Sequence, residues 1–111
     1  MQGIVKIGEN EVGMVANAAS TYIYKQVFHE DFLTKLQAKE PETDIFQKMA
    51  YIMAKQAEME KMSDLMKLNE QGFYEWLMQF ESMDVLYAID EISNIYFAQK
   101  KETSVPKSQG E

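Results

Sequence analysis

Residues 21–33 read TYIYKQVFHEDFL, and how this stretch folds decides the reading of the whole chain. Tyr24, Val27, Phe28 and Phe32 recur at spacings of three and four, which places them on one side of a helix. Tyr22 and Lys25 fall on the other side or its edge. Ser20 or Thr21 offers a hydroxyl that can accept from a free backbone N–H and cap the helix. An aromatic stripe at this spacing is ordinarily the core ridge of a small domain. The competing reading is that some of the rings sit at a surface and grip a partner.

Toward the N-terminus, residues 1–16 read as a β-hairpin. Val5 and Ile7 alternate with Lys6, and Val12 and Met14 with Gly13. Gly8-Glu9-Asn10 between them is turn chemistry, with Asn10 able to take a positive φ. A hairpin alone is marginal in water. It must lie on the helices or pair along an edge, and an open edge is a route to self-association.

Toward the C-terminus, the aromatic helix is expected over about 20–39, with Lys35 and Lys39 suiting its end and Pro41 blocking continuation. A second helix, over about 42–62, carries Ile45, Met49, Ile52, Met53 and Met59 on its apolar side. Ala50, Ala54 and Ala57 would let another helix approach closely, and Glu58 can pair with Lys61. Residues 63–71 read as an irregular connection or short helical turn, with Asn69 a candidate cap. Phe73, Trp76, Leu77 and Phe80 line a short helix over 70–80. Val85, Leu86, Ile89, Ile92, Tyr96 and Phe97 line another over 82–100, with Ser82 as cap and Asp84 in its first turn. A polar tail, read as disordered, occupies 102–111. The expected fold class is therefore α+β, mainly α: one domain over 1–101, an N-terminal β-hairpin followed by three to four packed helices.

Composition narrows the function. The 111 residues suffice for one domain, and the absence of cysteine leaves the core to apolar packing and fits a reducing compartment. No window approaches the roughly 20 apolar residues of a membrane span. The first residues lack the basic region and apolar run of a secretory signal, so a cytoplasmic protein is expected. The net charge is −7 and there is no arginine, which argues against nucleic acid and anionic membranes as partners. Nine methionines suit an irregular core and also an adaptable binding surface. Between Leu68 and Gln99 stand Glu70, Glu75, Glu81, Asp84, Asp90 and Glu91, with no lysine. This is either a solvated face or a docking face for a basic helical partner.

Catalytic patterns are wanting. His29-Glu30-Asp31 is the one crowding of titratable types, but Leu33 stands where a zinc-protease helix needs its second histidine. No phosphate-binding glycine loop and no nucleophile elbow is present. Asp90 and Glu91, adjacent on a helix, point about 100° apart and make a poor acid–base pair. The expectation is a non-enzymatic protein without metal or cofactor.

The serial order of features resembles the small tail assembly chaperones of long-tailed bacteriophages and prophages of Gram-positive bacteria. A short strand pair, here residues 4–15, is followed by a small-residue link, here 16–21. A helix of the pattern Y-[RK]-x-x-F-G-x-D-[LIF] corresponds to Tyr24 through Phe32. A K-x-A-Y-x-M-A-K run corresponds to Lys48 through Lys55, and an F-x-x-W-L element to Phe73 through Leu77. The similarity covers about residues 1–100. Arginine is more usual in the family where this chain has Lys25, and glycine where it has His29. The resemblance implies a chaperone for the tape measure protein, the long helical protein that sets tail length. It would keep that protein soluble and help recruit tail tube protein, and it would be absent from the finished virion. It also implies a ribosomal frameshift near the gene's end that adds a tube-binding extension to a fraction of the product, with the tail at 102–111 the natural place for the frames to diverge.

On this reading Tyr22, Tyr24, Phe28, Met49 and Met53 contribute to an apolar partner groove, with Glu70, Glu75, Glu81 and Asp84 at its acidic rim. Homo-oligomerisation is open. The alternative function is a small acidic interaction or regulatory module that sequesters a basic partner protein.

Overall fold

The structure, a computed structural model, describes residues 2–104, with side chains through residue 98. Strand β1 (Gln2–Ile7) pairs antiparallel with β2 (Asn10–Val15), Gln2 opposite Val15 and Ile7 opposite Asn10. The connection is the two-residue turn Gly8-Glu9. Gly8 has φ 63, the positive value that tight hairpin turns demand at their first central position. The positive φ foreseen at Asn10 thus belongs to Gly8, because Asn10 has already entered β2.

The helix expected over 20–39 is two helices, α1 (Ser20–Phe28) and α2 (Phe32–Leu36). His29 ends α1 in the left-handed region at φ 57, its N–H donating to the Lys25 carbonyl at 2.9 Å. Asp31 then starts α2, its carboxylate accepting from the Thr34 N–H at 3.0 Å and the Thr34 hydroxyl at 2.6 Å. Ser20 does not cap α1. It is fully buried, accepts from the Asn17 N–H at 3.0 Å and donates to Gln56 Oε1 at 2.7 Å; the Gln56 amide returns to Asn17 Oδ1 at 3.0 Å. The hydroxyl is a tie to the next helix, because Asn17 already satisfies the free Ala19 N–H at 2.9 Å.

That helix, α3 (Asp44–Glu58), is the axle of the fold. Met49, Ala50, Tyr51, Ile52, Met53 and Ala54 are all buried, so its middle is covered on every side. The hairpin lies along the alanine face, where Ala57 Cβ comes within 3.8 Å of the position a Gly13 Cβ would take. The small side chains thus admit a strand rather than another helix. Lys55, not Lys61, meets Glu58, at 3.3 Å. Lys61 lies past the end of α3, where Met59 has turned to extended backbone.

The short α4 (Met62–Leu65) falls in the expected connection. α5 (Glu70–Leu77) is capped as foreseen, Asn69 Oδ1 accepting from the Gly72 N–H at 2.9 Å. The stretch expected as one helix over 82–100 is α6 (Asp84–Tyr87) and α7 (Ile89–Ser104), separated at Ala88. Ser82 does not cap it. Asp84 accepts instead from the Glu81 N–H at 3.0 Å, and its carboxylate lies where a Cβ on Gly8 would go, packing the α6 start onto the hairpin turn. Of the expected tail, 102–104 form the end of α7, and 105–111 lie outside the described residues.

A chain of rings holds these parts together. Centroid separations are 5.1 Å for Tyr96–Phe32, 5.2 Å for Phe32–Tyr24, 5.1 Å for Tyr24–Phe28 and 5.1 Å for Phe28–Phe73. The chain continues through Phe73–Tyr51 at 5.7 Å, Tyr51–Trp76 at 5.8 Å and Trp76–Phe80 at 5.1 Å. It joins α7, α2, α1, α5 and α3, and each tilted or edge-on pair adds about 0.5–1.5 kcal/mol to the area it buries. The fold is α+β and mainly α, a hairpin followed by packed helices, as the sequence predicts.

Candidate partner-binding surface

Four of the groove residues foreseen from the sequence are core. Among the described residues, Tyr24, Phe28, Met49 and Met53 are buried and present almost no surface to a partner. The physical reason is the position of α3: with the hairpin on one side and α1, α2, α5 and α7 around the rest, both methionines are enclosed. Tyr22 is 71% exposed, as a partner contact requires. Glu70, Glu75 and Glu81 are exposed and Asp84 is half-buried, engaged with the Glu81 backbone.

The crowd at His29-Glu30-Asp31 separates into three structural roles. His29 turns the chain and Asp31 caps α2. Glu30 reaches back into a polar cluster under α1, where the Tyr24 hydroxyl donates to it at 2.6 Å and the Lys48 ammonium at 3.2 Å. Lys48 also meets Asp44 at 3.4 Å and lies 5.3 Å from the Phe28 ring centroid. Burial, the Glu30 hydrogen bond and the surrounding carboxylates hold the Tyr24 phenol protonated far above its ordinary range. Burial pushes Glu30 upward, but the hydrogen bonds from Tyr24 and Lys48 and the lysine charges outweigh it and lower its pKa. Lys48 is raised: burial opposes the charge, and Glu30 and Asp44 overcome it. Asp44 Oδ1 is buried with no hydrogen-bond partner. These groups anchor α3 to the α1–α2 corner. Among the described residues no three His, Asp or Glu side chains converge as a metal site requires.

Among the described residues, two apolar features of the surface bear on partner binding. One is a groove of about 410 Å³ between α1, α2 and α7, whose apolar wall is Leu33, Leu36, Tyr96 and Phe97. The other lies on the outer side of α5 and α6, where Tyr74, Met78, Met83 and Tyr87 are exposed. None of these eight is among the partner-binding residues expected from the sequence. The signal was present for the second set: Tyr74 and Met78, and Met83 and Tyr87, are each four residues apart and off the buried stripe carried by Phe73, Trp76 and Val85. No helix among the described residues is long and apolar enough to cross a membrane. No known protein family, curated protein or solved structure matches the chain.

Proposed function

We propose that this protein is a non-enzymatic tail assembly chaperone of a long-tailed phage or prophage. On this reading it binds the tape measure protein in the host cytoplasm, keeps it soluble while tube subunits are recruited, and does not remain in the virion. Contact with the tube protein belongs to a longer, frameshifted product.

The observation that carries the reading is the corner at His29. The pattern Y-[RK]-x-x-F-G-x-D-[LIF] has glycine at the position where this chain turns with φ 57, the conformation glycine adopts without strain. It has aspartate where Asp31 caps the next helix, and aromatic or aliphatic side chains where Tyr24, Phe28 and Phe32 stack. Apart from Lys25, each fixed position of the pattern has a separate physical task here, which supports the resemblance beyond its letters. The exposed aromatic and methionine side chains and the net charge of −7 suit a protein that covers apolar helices and stays soluble.

Co-expression with the long helical protein encoded just downstream tests the proposal. Soluble prey recovered only with this chain supports it. Prey that stays insoluble, or is soluble alone, moves the assignment to a module that sequesters a basic partner.

A further inference from the structure

We infer that the outer side of α5 and α6 is a docking face for a basic amphipathic helix of another protein. Tyr74 is 56% exposed, Met78 83%, Met83 43% and Tyr87 78%, and these four side chains form two pairs one helical turn apart. The chain next to each pair approaches the turn end of the hairpin. Gln79 and Phe80, just after Met78, border one cleft with Asn10 and Glu11, and Asp84, just after Met83, lies against Gly8. Large apolar side chains exposed within one short stretch of a small monomer mark an interaction surface, and methionine adapts to whatever it meets.

The charge around the face selects the occupant. From Leu68 to Gln99 the chain carries six carboxylates and no cation, and Glu70, Glu75, Glu81, Asp90 and Glu91 are exposed in the same stretch of chain as these apolar side chains. In the same region the hydrogen bonds to Glu75 and Asp84 come from Gln71 and the Glu81 backbone. Lys67 borders a cleft with Glu75, but among the described residues no lysine is ion-paired with these carboxylates. An apolar stripe flanked by lysine or arginine would bury its stripe on Tyr74, Met78, Met83 and Tyr87 and place its cations on the carboxylates. An acidic or uniformly apolar helix meets repulsion or leaves the rim unpaired. The inference deepens the chaperone reading and rests on it only for the identity of the natural helix.

The test titrates the full chain by calorimetry with a synthetic amphipathic peptide of leucine, alanine and lysine, about 18 residues so that it can form a helix on binding. A counterpart with glutamate for every lysine is the control. The expected result is binding of the lysine peptide alone, weakened roughly tenfold between low and high salt. The combined variant Tyr74→Ser, Met78→Ser and Tyr87→Ser should weaken it at least about tenfold. Glu75→Gln with Glu81→Gln and Glu91→Gln should weaken it and flatten the salt dependence, while Ile4→Ser, exposed on β1, should leave it unchanged. All replaced side chains are exposed, and thermal melts of each variant verify folding. Equal binding of both peptides, or unchanged binding by the serine variant, overturns the inference. Peptide binding without solubilisation of the tape measure candidate keeps the face and removes the chaperone reading. Solubilisation that survives the serine substitutions keeps the chaperone reading and removes this face.

Discussion

The Tyr24 hydroxyl donates to Glu30 Oε2 at 2.6 Å across the corner that separates α1 from α2. A buried phenol and a carboxylate thus titrate against each other at the hinge of the aromatic core, and their shifts have opposite consequences for stability.

On the acid side, Glu30 has a lowered folded-state pKa, so it favours the folded state above its unfolded value of about 4.5 and loses that contribution as pH falls through the folded value. On the alkaline side, Tyr24, Tyr51 and Tyr96 are all raised by burial, so they favour the folded state below about 10 and lose that contribution as pH rises past it. Lys48, also raised, acts in the same alkaline direction. Urea midpoints followed by circular dichroism should therefore fall below pH 4.5 and above pH 10, and Tyr24→Phe should blunt the alkaline decline.

His29→Gly should stabilise the protein. Relief of a side chain held at φ 57 is worth about 1–2 kcal/mol, less about 0.4–1 kcal/mol for the freer unfolded chain, a net gain of up to about 1.5 kcal/mol. A thermal melt should rise by a few degrees, and His29→Val should lower it. A fall with glycine would mean that the imidazole makes a favourable contact that outweighs the backbone strain.

Gly72 and Tyr51 should couple. A Cβ on Gly72 would stand 2.5 Å from the Tyr51 hydroxyl oxygen, so Gly72→Ala must push a buried ring and should cost about 1–3 kcal/mol. In a Tyr51→Phe background that oxygen is gone and the same alanine should be much milder. A double-mutant cycle of chemical denaturation measures the difference, and additive costs would rule out the clash as the cause.

Phe28→Ala and Tyr22→Ala should separate core from surface. Phe28 contacts Tyr24 and Phe73 in the ring chain and should cost about 3–5 kcal/mol, whereas exposed Tyr22 should change stability by less than about 0.5 kcal/mol. Equal effects on denaturation would contradict this placement.

Much of the architecture was legible because apolar period determines it. The alternation in residues 2–15 and the three-four spacing of Tyr24, Val27 and Phe28 each lead to the element found. The break at His29 was hidden because histidine is no helix breaker and the apolar period runs through it; only Asp31, three residues before Thr34, signalled a second start. The site was less legible. The same period that puts Met49 and Met53 on one side of α3 says nothing about whether that side meets solvent, and only the number of elements packed around α3 decides it. Exposed Tyr74 and Met78 were masked by Phe73 and Trp76, whose buried stripe dominates the helix.

Trp76 is the chain's single tryptophan, buried on α5 between Tyr51 and Phe80. Its indole is thus an optical address for one helix: its inner side touches the central axle, and the adjoining turn carries Tyr74 and Met78. Global unfolding would shift its emission to longer wavelength as water reaches the ring. Loosening confined to α5 would do the same while the far-ultraviolet dichroism of the other helices stays intact, so the two spectra read together distinguish local opening from loss of the fold without any label.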